Sequence, residues 1–166
     1  MDITKILATD HRALKRLLEK LDATTERGEK IREKLFSQFK VLLVAHSKSE
    51  EAVFYDSIKD AGGHDAKEKT LEAFEEHHVA TVLLKELSAL DKSDERWGAK
   101  LSVLRELLTH HIEEEEGRVF ASARKIFDSY QLDEMGDDFV LLRDAQLAKV
   151  GLPIRLGYKV TRRIAS

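Results

Sequence analysis

The chain has 166 residues, enough for one domain with its own hydrophobic core. It is 42% hydrophobic and 36% charged, has one proline and carries a net charge of −3, which is typical of an all-helical protein and offers no positive field to recruit nucleic acid or an acidic membrane. It has no cysteine, which excludes disulfides, thiolate nucleophiles and iron–sulfur clusters, so any bound metal needs nitrogen and oxygen ligands.

Apolar residues at three-and-four spacing predict two helices in the first part of the chain, from about residue 3 to 27 and from about 29 to 60. A glycine follows the first helix and a glycine pair ends the second. The residues predicted to face inward are Ile3, Leu7, Leu14, Leu17, Leu18 and Leu21 in the first helix, and Ile31, Leu35, Phe39, Leu42, Leu43 and Val53 in the second.

Two further helices are predicted at about 66 to 90 and from the turn near Ser93 to Asp128. Their inward residues are Leu71, Phe74, Leu84 and Leu87, then Leu101, Leu104, Leu108 and Val119. Short connections between long amphipathic helices predict an up-down-up-down four-helix bundle over residues 1–130. A fifth helix, from about 133 to 149 within an accessory region at 131–150, is expected to pack outside this bundle. The basic stretch 151–166 is interpreted as a solvated tail.

Histidines and glutamates interrupt the apolar stripes. On the second helix the stripe continues through His46 and Glu50, and on the fourth through His111 and Glu115. His11 lies on the stripe of the first helix, and His77 falls between Phe74 and Leu84 on the third. The His-x-x-x-Glu spacing places both side chains on one helix face, one turn apart, so both can reach one point in the bundle.

Two buried carboxylates require compensation. Burying a carboxylate is costly unless it is paired or binds a metal, and the stripes show no inward-facing lysine or arginine to neutralise these two. Six ligands exceed what one divalent ion needs, whereas two ions can share the carboxylates as bridges. The pattern therefore predicts a dinuclear metal site with the ligands His11, His46, Glu50, His77, His111 and Glu115.

An internal repeat supports this prediction. His11 and His77 are 66 residues apart, whereas His46 and His111, like Glu50 and Glu115, are 65 apart. Further pairs 65 apart are Glu51 with Glu116 and Tyr55 with Phe120. The two halves are thus similar helical hairpins, and a pseudo-twofold packing would bring both ligand sets to the middle.

The other three histidines are less well placed. His64 sits in a glycine-containing turn and is expected to face solvent. His78 also shares a face with Phe74, so the stripe alone does not choose between His77 and His78, although the repeat favours His77. His110 starts its own His-x-x-x-Glu, but the stripe and the repeat both favour His111. His78 and His110 are therefore candidates for the edge of the site.

At these residues the chain resembles the hemerythrin-like HHE cation-binding family. The matching segments are Asp10-His11-Arg12, His46 to Glu51 followed by Phe54-Tyr55, Glu75-Glu76-His77-His78, and His111 to Glu116 followed by Phe120. The resemblance covers about residues 3 to 127. It implies two iron ions with two bridging carboxylates and an oxo or hydroxo bridge, and a small diatomic or peroxide ligand. Imidazole and carboxylate also suit zinc and manganese, so iron follows from the resemblance.

The chain also departs from the oxygen-carrying members of that family. Those have a further histidine four residues before the third-helix ligand, where this chain has Ala73, or Phe74 if His78 is the ligand. They also end in His-x-x-x-x-Asp rather than His-x-x-x-Glu. The pattern of four His and two Glu is closer to that of the iron–sulfur-cluster repair di-iron proteins, whose cysteine-bearing N-terminal segment has no match here. Reversible oxygen transport is therefore not the expected function.

The leading hypothesis is a di-iron protein that binds dioxygen or reacts with peroxide or nitric oxide, in handling or sensing oxidative or nitrosative stress. Coordination counting supports it, since two histidines, two carboxylate oxygens and one bridge leave each ion an open position. The alternative is a non-enzymatic, iron-responsive metal-binding module. A third possibility is a scaffold bundle without metal. We expect a cytoplasmic protein with no nucleic-acid or membrane partner, and the oligomeric state is open.

Overall fold

The computed structural model describes residues 1–150, apart from the side chain of Glu26. Within that range the chain is helical and contains no strand. The helices are α1 (Ile3–Asp22), α2 (Glu29–Glu50), α3 (Asp56–Ala61), α4 (His64–Ala89), α5 (Glu95–Glu114), α6 (Phe120–Ile126) and α7 (Ser129–Lys149). A short 3₁₀ turn, Glu26–Gly28, precedes α2. Two π-helical turns, Glu51–Tyr55 and Glu115–Val119, join α2 to α3 and α5 to α6.

These elements form the expected up-down-up-down bundle, in which the second helix is α2 continued by α3 and the fourth is α5 continued by α6. α1 packs against α2 and α5, and α4 packs against α5 and more lightly against α2. The fold class predicted from the sequence is thereby confirmed.

The interior has three layers. One apolar cluster is built around Ile3, Leu7, Phe54 and Phe139, and the other around residues such as Leu14, Phe39, Leu84, Trp97 and Leu104. The buried histidines occupy helix positions between these two clusters. A polar layer is therefore enclosed above and below by apolar side chains, which keeps bulk water away from it.

Some details of the helices differ from the predictions. The first helix ends at Asp22 rather than at about residue 27. Ile31 and Leu71, predicted to face inward, are 63% and 56% exposed. At the start of α2 the buried residues are Arg32 and Phe36, each one position after a predicted one. The Phe36 ring fills the core, and the Arg32 guanidinium lies 4.7 Å from the centre of the Trp97 ring.

The fifth helix is longer than predicted and belongs to the core. α7 begins at Ser129 instead of about 133, where Asp128 and Gln131 form a capping box. It packs against α1 and α2, and Gly136 lies so close to the first residue of the chain that a Cβ there would clash with the Met1 carbonyl oxygen. The helix thus packs on the outside of α1 and α2, where its buried residues extend one of the two apolar clusters. The predicted basic tail, 151–166, lies outside the described residues.

Within residues 1–150, none of the helices combines the length and apolar character needed to cross a membrane.

Candidate metal centre

The two His-x-x-x-Glu segments run into π-helical turns. Glu50 is the last residue of α2, and Glu115 is the first residue of the second π turn. In each turn a backbone amide reaches back five residues, from Asp56 to Glu51 and from Phe120 to Glu115. Such turns insert one extra residue into a helix and are frequent at functional sites. The backbone is thus irregular in the same way at both glutamates.

The four stripe histidines form two pairs. The rings of His11 and His46 lie with their centres 5.0 Å apart, and those of His77 and His111 lie 4.7 Å apart. The first pair joins α1 to α2, and the second joins α4 to α5. Each helical hairpin of the repeat therefore contributes one pair, as the internal repeat predicted.

Glu50 lies between the two histidine pairs and is completely buried. Its Oε2 atom is 3.3 Å from His46 Nε2 and 3.5 Å from His77 Nε2. One carboxylate therefore approaches one imidazole of each pair, which is the arrangement a bridging ligand needs.

Glu115 occupies the equivalent place from the fourth helix and is 1% exposed. Its Oε2 atom is 3.2 Å from His11 Nε2 and 3.9 Å from His111 Nε2. Its other oxygen accepts a hydrogen bond of 3.1 Å from the Tyr55 hydroxyl. The residue equivalent to Tyr55 in the repeat is Phe120, which has no hydroxyl, so the two glutamates differ in this contact.

The six predicted residues are thus brought together. Two groups of potential ligand atoms, each within 4.8 Å of one another, are His11, His46 and Glu50, and Glu50, His77 and His111. Glu50 is shared, and Glu115 reaches one histidine of each pair. His64, His78 and His110 are exposed, and the choice of His77 over His78 agrees with this burial. That these residues bind metal stays a prediction.

The donor set fits a pair of cations. Within the described part of the chain, four buried side-chain atoms have no hydrogen-bond partner, and all belong to these residues: His11 Nε2, both oxygens of Glu50 and Oε2 of Glu115. Buried polar atoms normally find a partner, so this concentration needs an explanation. Nitrogen and oxygen atoms aimed at a common point are the ligands of iron, zinc or manganese.

The two glutamates respond differently to burial in the metal-free protein. Burial and the neighbouring charge of Glu115 raise the pKa of Glu50 well above its ordinary value. Burial also acts on Glu115, but the contact of 3.2 Å with His11 and the positive charge of that ring outweigh it, so the pKa of Glu115 is lowered. The two glutamates are therefore shifted in opposite directions.

The histidines differ in a similar way. Burial lowers the pKa of His11, but its close contact with the Glu115 carboxylate and its hydrogen bond to Glu116 outweigh burial and leave the pKa raised. Burial lowers the pKa of His77, and its hydrogen bond to Glu51 only partly offsets this effect. The first pair therefore contains a histidine that favours its protonated form, whereas His77 favours the neutral form that binds metal.

Each of the four histidines in the apolar stripes contacts a carboxylate through its Nδ1 atom, and none of these carboxylates was predicted to belong to the site. The Nδ1 atom contacts Glu116 at 2.8 Å in His11, Asp10 at 3.4 Å in His46, Glu51 at 2.9 Å in His77 and Glu76 at 2.7 Å in His111. Such a contact fixes the ring and leaves Nε2 for a metal. The sequence did contain a signal for these carboxylates. Asp10 and Glu76 are 66 residues apart and Glu51 and Glu116 are 65 apart, which are the spacings of the internal repeat.

An arginine also enters the site's surroundings, contrary to the sequence expectation. Arg143 of α7 is 1% exposed, and its Nη1 atom lies 2.9 Å from both oxygens of Asp10. The stripes of the four bundle helices could not reveal it, because it comes from the fifth. It does interrupt the buried stripe of α7, between Phe139 and Leu147, and that pattern was available in the sequence.

A narrow cavity of about 10 Å³ reaches the centre between α4 and the fourth helix. It is lined by Lys69, Glu72, Ala73, Glu76, His111, Glu114, Glu115 and Val119. This volume corresponds to about one water molecule. Ala73 stands where oxygen-carrying hemerythrins have a further histidine, so its small side chain leaves space beside two of the predicted ligands.

Fold and site together define a class, that of helical-bundle proteins with a buried cation centre built from histidine and glutamate. The family model of the hemerythrin HHE cation binding domain matches residues 2–123, and the chain belongs to that family. A solved structure of a hemerythrin HHE cation binding domain-containing protein from Mycobacterium kansasii shares the fold with a TM-score of 0.77 at 19% identity, over 90% of this chain and 89% of that one.

One curated relative comes from Nostoc sp. (strain PCC 7120 / SAG 25.82 / UTEX 2576) and is named a DNA nickase. It is 26% identical over 161 residues, which are 97% of this chain and 43% of that protein. The chain thus spans less than half the length of this relative.

Proposed function

We propose that the chain is a non-haem di-iron protein that binds dioxygen or reacts with peroxide or nitric oxide, in handling or sensing oxidative or nitrosative stress. In this proposal one ion is held by His11 and His46 and the other by His77 and His111. Glu50 and Glu115, which each approach one histidine of both pairs, would be shared by the two ions. When bound, the iron pair would supply electrons to a small oxidant.

The observation that carries this proposal is the cavity beside Ala73. It offers room for one small molecule, next to His111 and Glu115, and a larger substrate could not reach those residues through it. A further histidine at this position would occupy the space and one coordination position. The chain has alanine instead, which favours a ligand that comes from outside the protein.

The surrounding side chains would do three things. The carboxylates at each Nδ1 keep the imidazoles oriented, with Nε2 directed inward. The Tyr55 hydroxyl donates a hydrogen bond to Glu115, and its ring stacks on that of His77 with centres 5.5 Å apart. Phe120, whose ring centre lies 6.3 Å from that of His11, covers the opposite pair. Together they hold the ligands in place and exclude water.

Filling the cavity tests the proposal. Ala73→Ile should leave two irons bound per chain but slow the reaction of the reduced protein with dioxygen, peroxide and nitric oxide at least about tenfold, because the added carbons occupy the space for the ligand. Ala73→Ser is the control of similar size. Stopped-flow absorption after mixing with each oxidant measures the effect. Unchanged rates in an iron-loaded Ala73→Ile protein would contradict the proposal.

A second candidate, an iron-responsive module without turnover, is favoured by a different observation. The predicted ligands come from all four bundle helices, and their orphaned atoms are buried, so metal binding should stabilise the whole bundle. A large metal-dependent rise in melting temperature, with no consumption of any of the three oxidants, would support this candidate over the first.

Because the Nostoc relative is named a DNA nickase, DNA cleavage is a further possible function of the centre. We infer that the centre itself does not act on DNA. Glu50 and Glu115 are 0% and 1% exposed, and the cavity that reaches Glu115 has room for about one water molecule. A net charge of −3 also disfavours contact with DNA. Nicking of supercoiled plasmid by the iron-loaded chain, lost in His111→Ala, would overturn this inference.

A further inference from the structure

We infer that Arg143 is a positioning residue of the metal centre, which acts through Asp10 on His46 and makes the two metal positions unequal. This inference rests on the metal binding of the proposed function. Arg143 lies on α7, beyond residues 2–123 that match the family model. A helix outside the family domain would then be part of the centre.

The first link is the ion pair between Arg143 and Asp10. Both are buried, at 1% and 0% exposure, and one guanidinium nitrogen lies 2.9 Å from each Asp10 oxygen. The other edge of the guanidinium donates to Asp144, at 2.6 Å from Nη2 and 3.0 Å from Nε. The arginine therefore connects the carboxylate of Asp144, which is about half exposed, to the buried carboxylate of Asp10. Because the guanidinium is planar and its donors are fixed, it restricts where Asp10 can lie.

The second link joins Asp10 to His46. Asp10 Oδ2 lies 3.4 Å from His46 Nδ1, on the side of the ring opposite the atom that faces Glu50. α7 touches the same imidazole again through Phe139, whose ring is 5.7 Å from it and nearly perpendicular. The orientation of His46 thus depends on α7 through both a charge and an aromatic contact.

The repeat supplies the comparison that shows what Arg143 adds. Glu76 is the equivalent of Asp10, and it contacts His111 Nδ1 at 2.7 Å. Its side chain is 17% exposed, and within residues 1–150 no lysine or arginine forms an ion pair with it. Water can solvate Glu76, whereas Asp10 is enclosed and its carboxylate is paired with the guanidinium.

Removing Arg143 should therefore affect one metal position. Asp10 would lose a bidentate charged contact that restricts its place, and His46 would be less firmly oriented. Loss of such a partner behind a metal-binding histidine typically weakens metal binding about 10–100-fold. The position at His77 and His111, whose carboxylates are Glu51 and Glu76, should be unaffected.

The experiment measures zinc release from the full chain. Protein loaded with two equivalents of Zn²⁺ is mixed with an excess of a colorimetric chelator, and wild type should release zinc in a slow and a fast phase. His46→Gln identifies the phase of the His11–His46 position. Arg143→Met should accelerate that phase about 10–100-fold and leave the other unchanged, and Arg143→Lys should restore part of the difference.

Gln146→Met is the matched control on the same helix. Its side chain donates a hydrogen bond to Ser49 of α2, so the substitution tests whether any weakened contact of α7 has the same effect. It should release zinc like wild type. Loading with Co²⁺ gives a second reading, because Arg143→Met should shift the visible absorption of one of the two cobalt ions.

Each outcome decides the inference. A folded Arg143→Met protein with wild-type release rates overturns it, and so does equal acceleration by Gln146→Met. If Arg143→Met does not fold, Asp10→Asn with Arg143→Met removes both buried charges, and wild-type release from that folded variant overturns it too. A wild-type chain that binds neither zinc, cobalt nor iron would instead refute the proposed function.

Discussion

The two hairpins of the bundle contribute equivalent ligands but surround them differently. Around His11 and His46, α7 covers the site, Asp10 is fully enclosed and an arginine enters from outside the repeat. Around His77 and His111, Glu76 is partly exposed, and the cavity beside Ala73 reaches the ligands. The internal repeat thus provides a symmetric set of predicted ligands, whereas α7 covers only the side of His11 and His46.

This difference suggests a division of roles. A closed, charge-compensated side suits firm retention of a metal ion, and an open side suits the entry of a small ligand. The hydroxyl of Tyr55 adds a further asymmetry, because it hydrogen-bonds to Glu115 whereas its counterpart Phe120 offers no hydrogen bond to Glu50. The predictions below test these differences between equivalent residues.

The largest effect is expected at the two bridging positions. Glu50→Gln and Glu115→Gln should each weaken metal binding at least about 100-fold, because a bridging carboxylate serves both ions. Their effects on the metal-free chain should differ. Glu50→Gln should be neutral or stabilising, since the raised pKa of Glu50 means that its neutral form is preferred, whereas Glu115→Gln should cost about 1–3 kcal/mol by removing a charged partner of His11.

Metal analysis and urea unfolding of both metal-free variants measure these two quantities. Equal destabilisation by the two substitutions would show that the glutamates are equivalent in the metal-free chain.

A smaller effect, on folding, is expected when Asp10 or Glu76 is replaced. These carboxylates contact the Nδ1 atoms of His46 and His111, respectively. Asp10→Asn should lower the free energy of unfolding by about 3 kcal/mol, because it breaks a buried ion pair while Asp144 still contacts Arg143. Glu76→Gln should cost about 1 kcal/mol or less, since water reaches that side chain. Denaturant unfolding of the metal-free proteins compares them, and a larger loss in Glu76→Gln would reverse the assignment of closed and open sides.

The smallest effect concerns pH. The pKa values of His11 and Glu50 are raised, so both groups keep their protons to a higher pH than in solution. Metal affinity should therefore rise with pH, by about tenfold per unit for each proton that metal binding displaces. The lowered pKa of His77 implies no such cost at its ring. Binding at the His11–His46 position should therefore depend more steeply on pH than binding at the other.

Calorimetry of zinc binding in buffers with different ionisation enthalpies counts the protons released in each step. The same proton count for both steps would remove this distinction between the hairpins.

Much of the site was predictable from the sequence. A histidine or glutamate within an apolar stripe faces the interior, whatever residues it contacts there. The internal repeat then favoured His77 over His78 and His111 over His110. The stripe failed where two faces were similarly apolar. Ile31 and Leu71 were assigned inward but are exposed. The adjacent Arg32 and Thr70 are buried instead, one residue later on α2 and one residue earlier on α4.

The sequence by itself determined an all-helical bundle, the composition of its polar layer and the equivalence of its two halves. Only the tertiary structure decided which carboxylate supports which histidine, that Arg143 reaches Asp10, and that a cavity opens beside Ala73. The physical reason is that periodicity reports which face of a helix is buried. The contacts of that face depend on how neighbouring helices are rotated and crossed, and helix periodicity does not encode this.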